Sequence, residues 1–215
     1  MIKLPKFLVC LLLLNPAAMA DEKEEWTSLF DGKTFNGWTT MKGKPVTNGW
    51  TVVDGVMYRA SVGGDIITEA KFKDFILEFE WKISEGGNSG VKYRVQGATG
   101  IEYQILDDEK HRDGKNPTHR SASFYDLLAA PDSKPIKPVG EWNQARIVAK
   151  GPKLEHWLNG KLVAELDQSS DDWKTRFEAS KYKKVENFGT PASPILLQDH
   201  RDPVWFRNLR IKELK

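Results

Sequence analysis

Period-two alternation of apolar and polar residues runs through almost the whole chain, and it restricts the fold more than any other feature. In FILEFEWKI, residues 75–83, Phe75, Leu77, Phe79, Trp81 and Ile83 share one face, with Glu78, Glu80 and Lys82 on the other. GVKYRV, 90–95, sets Val91, Tyr93 and Val95 against Lys92 and Arg94, and GIEYQIL, 100–106, sets Ile101, Tyr103 and Ile105 against Glu102 and Gln104. A helix would scatter these apolar residues around its axis, whereas a strand gathers them on one side, so the pattern demands sheets packed on a core.

Turn residues mark where the strands end. Asp54-Gly55 after GWTVV and Asn159-Gly160 after KLEHWL are hairpin pairs, GGNS at 86–89 turns the chain, and Asn88, Gly87 and Gly90 suit that turn. QARIVAK, KLVAEL, SPILLQDH and VWFRNLRI read as further strands, with Arg207 and Asn208 as bulge residues in the last. Only 169–183, SSDDWKTRFEASKYK, is predicted helical, a surface insertion opening on a serine-aspartate cap. About ten strands with closely spaced turns predict an all-β, antiparallel two-sheet sandwich with one short surface helix. The polar segment 109–122 and the proline-rich segment 130–140 are long loops, of the kind that shape a site.

Residues 1–20 read as an export leader: Lys3 and Lys6, the apolar run Phe7 to Leu14, then Ala18-Met19-Ala20 before DEKEE. The apolar run is too short to span a bilayer, so the mature protein, 21–215, is expected as one domain without a membrane span, in the periplasm or outside the cell. Cys10, the only cysteine, goes with the leader, leaving no disulfide or thiolate metal site. The whole chain has 32 basic and 30 acidic residues, and two of the basic ones are Lys3 and Lys6, so the mature chain is balanced and offers no electrostatic footprint for nucleic acid. Eight tryptophans and an aromatic share of 11% suit the flat faces of sugars, with most rings expected in the core.

FDGKTFNGW at 30–38, GGNSGVKYRV at 86–95, GIEYQILDD at 100–108, GEWNQARIVAKG at 140–151, HWLNGK at 156–161 and LQDHRDPVWFRNLRI at 197–211 together resemble the 3-keto-disaccharide hydrolase domain family, in order from Trp26 to Leu214. The resemblance implies a concanavalin A-like jelly roll that acts on oxidised glycosides, with an oligosaccharide or 3-keto-glycoside as substrate and a sugar 3-dehydrogenase working upstream. Where the family often has glycine after LQDH, this chain has Arg201.

A 3-keto sugar needs different chemistry from an ordinary glycoside. The ketone acidifies the C2 hydrogen, so a base, a proton donor and groups that hold the enolate suffice for elimination at C1, followed by rehydration. Glu102 is the expected base and His200 the expected proton donor, two catalytic candidates. Lys92 and Arg94 are expected at the enolate oxygen and Asn88, Gln104, Gln198 and Glu80 at hydroxyls, provided their strands are neighbours. Equally open, Glu102 is a surface residue paired to Lys92 or Arg94, and His200 a turn residue before Asp202-Pro203.

No cofactor is indicated. A divalent cation is compatible with His111, Asp113 and His119, near Asp107 and Asp108, but no spacing there is diagnostic, and a Ser-His-Asp hydrolase is unsupported because GxSxG is missing. Two other functions fit the same fold. A lectin-like binding module would show a row of exposed aromatic rings, and an ordinary glycosidase would show two paired carboxylates.

Overall fold

The computed structural model describes residues 25–215, so the leader expected at 1–20 lies outside the described residues. Thirteen strands and one α-helix follow in order: β1 (Thr27–Ser28), β2 (Trp38–Thr40), β3 (Trp50–Val53), β4 (Val56–Arg59), β5 (Ile66–Thr68), β6 (Phe75–Ile83), β7 (Asn88–Gln96), β8 (Thr99–Leu106), β9 (Asn143–Lys150), β10 (Lys153–Leu158), β11 (Lys161–Asp167), α1 (Asp171–Ala179), β12 (Leu196–Leu197) and β13 (Val204–Glu213). The larger sheet runs β11-β10-β9-β6-β13-β4-β3, with β1 also on β13; the smaller runs β2-β5-β12-β7-β8, and every pairing is antiparallel. No described helix is long and apolar enough to cross a membrane.

The two sheets pack through the apolar faces that alternation marks. Phe79 of the larger sheet meets Tyr103 of the smaller edge-on at 5.6 Å between ring centroids, and Phe75 meets Tyr93 at 5.8 Å. Such edge-to-face pairs add to the burial of the rings themselves. His156 of β10 is fully buried between them. Burial lowers its pKa to about 3 and keeps it neutral. Nδ1–H then donates to Ala122 O at 3.2 Å, and the Tyr93 hydroxyl donates to Nε2 at 3.0 Å.

Several boundaries differ from the sequence expectation. The helix is shorter, Asp171–Ala179, capped by Ser170 whose hydroxyl accepts from Trp173 N–H, because the residues after it leave helical geometry to pack Tyr182 on Phe188. The turn at 86–89 is tighter than expected: Gly86 takes φ 63° and Asn88 already begins β7. The 109–122 loop holds two short 3-10 turns, Arg112–Lys115 and Pro117–His119. The bulge at Arg207 and Asn208 is present, with Asn208 at φ 55°.

Candidate active site

The outer face of the smaller sheet is covered by the 109–130 loop and by the chain after α1. One register row crosses four strands as Ile67, Leu196, Lys92 and Glu102, and the next row pairs Gly90 with Gln104. Gln198 joins that second row by donating its N–H to Gly90 O at 3.0 Å. The stretch Ala122 to Tyr125 runs along the free edge of β8, Ala122 N–H donating to Gln104 O and Tyr125 N–H to Glu102 O. Glu102 is thereby roofed over, with only 4% of its surface exposed.

Glu102 fills space that a side chain at position 90 would take. A Cβ on Gly90 would come within 2.5 Å of Glu102 Oε1, so glycine there lets the carboxylate lie across β7. Its Oε2 sits 3.6 Å from Lys92 Nζ. Burial raises its pKa, and the charges of Lys92 and Lys181 only partly oppose that. Lys181, after α1, has its own pKa lowered by burial, and its ammonium lies 4.1 Å from the Tyr125 ring centroid and 5.1 Å from that of Tyr182. Asp65 is a second carboxyl whose pKa burial raises; it accepts Asp199 N–H at 2.9 Å, and the charges of Lys92 and His200 bear on it.

Two buried acceptors beside this pair have no partner, Gln104 Oε1 and Gln198 Oε1. Buried oxygens left without donors are costly, and here they flank Gly90, where a hydroxyl-bearing ligand would satisfy them. Gln104 uses its Nε2 to donate to Asn88 Oδ1 at 3.3 Å, and Asn88 N–H donates to Asp202 Oδ2 at 3.0 Å. His200 stands at the mouth, 43% exposed, its Nδ1 4.0 Å from Asp202 Oδ2. Asp199, its neighbour, accepts from Arg59 Nε and from the N–H groups of Gly63 and Gly64, which anchors the segment that carries Gln198 and His200. Arg201 has φ 78°, a left-handed backbone that explains why glycine is favoured there; its exposed side chain is not part of the buried site.

The structure thus brings together Glu102, Lys92, Gln104, Gln198, Asn88 and His200, and it corrects two expectations. Arg94 is not available to an enolate. A bulge at φ 49° turns it from the face that Lys92 occupies, and its buried guanidinium donates to Lys73 O, Asp74 Oδ1, Gln168 Oε1 and Gly189 O. Glu80 belongs to the larger sheet and lies on the opposite outer face of the sandwich, held by Arg207 and Asn208. Alternation assigns a residue to a face of its own strand but not to one of the two sheets. Asp65, Tyr125 and Lys181 are not singled out by the sequence, since loop residues carry no periodic signal.

The loop residues expected as cation ligands do not converge. Asp107 accepts from Gly86, Glu109 and Lys110 N–H groups, and Asp108 is taken by Lys134 and Ser121 N–H. Instead His111, His200 and Asp202 come together, with one polar atom of each within 4.8 Å of the others. His111 Nδ1 accepts Asp113 N–H at 3.1 Å, which places the proton of the neutral ring on Nε2.

A jelly-roll sandwich with a buried, proton-hungry carboxylate and unmet hydroxyl-binding groups on one sheet defines a carbohydrate-active β-sandwich. The fold is shared with carbohydrate-binding module CBM66 of Bacillus subtilis, at TM-score 0.52 and 16% identity over 82% of this chain and 96% of that one. Residues 25–212 match the family described as the 3-keto-alpha-glucoside-1,2-lyase-like domain, and the chain belongs to that family. The 3-keto-disaccharide hydrolase of Bacteroides thetaiotaomicron is 36% identical, over 90% of this chain and 80% of that protein. A crystal structure from Parabacteroides distasonis ATCC 8503, provisionally named a glycosyl hydrolase, superposes at TM-score 0.82 with 34% identity, covering 89% of this chain and 95% of that one. By this membership the protein is a glycosidase-type hydrolase.

Proposed function

We propose that the protein cleaves 3-keto-disaccharides and related 3-keto-glycosides by elimination and rehydration. The observation that carries this reading is Glu102, buried beside Lys92 and Lys181 with its proton affinity raised, next to the two unmet oxygens of Gln104 and Gln198. A carboxylate of raised basicity removes a carbon-bound proton better than an ordinary one. Glu102 takes the C2 proton, the electron pair moves toward the C3 ketone, and the lysine ammonium groups hold the enolate oxygen. Collapse of the enolate expels the C1 oxygen, which takes a proton from His200 at the mouth. Water then adds across the C1–C2 double bond, its hydroxyl going to C1 and its remaining proton to His200, while Glu102 returns a solvent-exchanged proton to C2, giving a 3-keto sugar and the released alcohol with both groups restored.

The two-carboxylate alternative has no support on the other sheet. A glycosidase acid must hold its proton near neutral pH. Burial pushes Glu78 upward, but hydrogen bonds from Arg210 and Arg146 outweigh it and leave its carboxyl below the ordinary value. The elimination route also requires an oxidised substrate, so a sugar 3-dehydrogenase upstream and the export leader at 1–20 complete the proposal.

The test is incubation in D2O with a 3-keto-glucoside and with its unoxidised parent. Release of the aglycone from the keto substrate alone, with deuterium at C2 of the product, is expected. Equal release from the parent, or product without deuterium at C2, would sink the elimination route.

A further inference from the structure

Of the eight tryptophans, Trp38, Trp50, Trp81 and Trp173 are buried; the remaining four, Trp26, Trp142, Trp157 and Trp205, all lie partly exposed on the outer face of the larger sheet. That face is the far side of the sandwich from Glu102. It carries a groove of about 750 Å³ that crosses β10, β9, β6, β13 and β1. Four inter-strand steps give it a width of about 19 Å, enough for more than one sugar ring.

We propose that this groove is a second, non-catalytic site that binds a neutral oligosaccharide. Its floor is a continuous chain of contacts. Glu78 Oε1 accepts from Arg146 and Oε2 from Arg210. Arg146 lies 5.8 Å from the Trp157 ring centroid, and Arg210 lies 4.5 Å from that of Trp26. The two rings therefore stand at opposite ends of one braced charge network, each held by a cation whose own position is fixed by the same carboxylate.

Charge identifies the kind of ligand. The groove is lined by the carboxylates Asp31, Glu78 and Glu80 and the guanidinium groups of Arg146 and Arg210, and Arg207, just beyond the lining, pairs with Glu80, so the charges nearly cancel and neither an anionic nor a cationic polymer is favoured. Aromatic rings with amides such as Gln144 and Asn208 between them offer what a sugar chain uses, flat apolar contact and donors and acceptors for hydroxyls. None of the partly exposed tryptophans is at the Glu102 site, so binding here and turnover there are separable. The groove would hold a longer glycan while the small keto-sugar site works on the opposite face.

The test is calorimetric and fluorescence titration of the full mature chain with unoxidised malto-, cello- and laminari-oligosaccharide series. Wild type and Glu102→Gln should bind one series with equal affinity and with quenching of tryptophan emission. The double variant Trp26→Ala/Trp157→Ala should lose at least tenfold in affinity while releasing product from a small 3-keto-glucoside at the wild-type rate. Gln144→Arg, which fills the groove from an exposed position and removes no packing, gives the same reading if the double variant fails to fold. Failure of the wild type to bind any series, wild-type affinity in both groove variants, or loss of binding in Glu102→Gln would each overturn the proposal. The binding readouts stand whether or not the keto-sugar reaction is observed, so failure of the groove and failure of the keto-sugar reading are distinguishable.

Discussion

Glu102 Oε2 and Lys92 Nζ lie 3.6 Å apart on neighbouring strands, and the pair is nearly closed off from water. At an exposed strand pair such a contact would count for little. Under the roof of Tyr125 and Lys181 it sets the protonation state of the residue on which the chemistry turns, because the burial that raises Glu102 is only partly offset by the two ammonium groups.

Glu102→Gln should lower kcat by about 100- to 10,000-fold, the usual contribution of a general base, with an unchanged melting temperature. Steady-state kinetics on a 3-keto-glucoside alongside thermal unfolding separates lost chemistry from lost fold.

Gly90→Ala should reproduce part of that loss without touching the carboxylate chemically. The new Cβ collides with Glu102 Oε1 at 2.5 Å, and the carboxylate end is the flexible partner, so it swings off β7. A drop in kcat with stability nearly kept is the expected result; wild-type turnover would show that the position of Glu102 over β7 does not matter.

Lys181→Met removes a charge that lowers the Glu102 pKa, so that pKa rises further. The deprotonated base is then present only at higher pH, and the acid limb of kcat/KM should move upward. A limb that stays in place, or moves down, would separate Lys181 from the base.

His156 links pH to stability. Its folded pKa, about 3, lies below the ordinary 6.5. Between those values the unfolded chain binds a proton that the folded one refuses, so stability falls as pH drops through that window. The loss attributable to His156 is about 3 kcal/mol from pH 7 to pH 4. Urea unfolding of wild type and His156→Gln at both values should show the gap between them narrowing in acid. A gap that stays constant would mean His156 is not held neutral.

Alternation made the core legible: Phe75, Leu77, Phe79, Trp81, Tyr93, Ile101, Tyr103 and Ile105 are all buried where the sequence put them. It equally put Glu102, Gln104 and Lys92 on outward faces, and the motif order placed the chain in its family. What periodicity could not carry was the assignment of strands to sheets. FILEFEWKI and GIEYQIL have the same pattern, yet β6 and β8 lie in different sheets, so Glu80 and Glu102 face opposite ways out of the sandwich.

The residues that finish the site show the same division. Arg94 looks like Lys92 in sequence, and only a bulge with φ 49°, closed by four acceptors from distant segments, turns it away. Lys181 and Tyr125 come to Glu102 from segments 79 and 23 positions away along the chain, through contacts that no local pattern encodes. The sequence by itself determined the strand faces, the core and the family, because those depend on the two-residue pleat and on local turn chemistry. The tertiary structure alone decided which outward faces became a buried site and which an open groove, because desolvation is set by what distant segments fold over a strand.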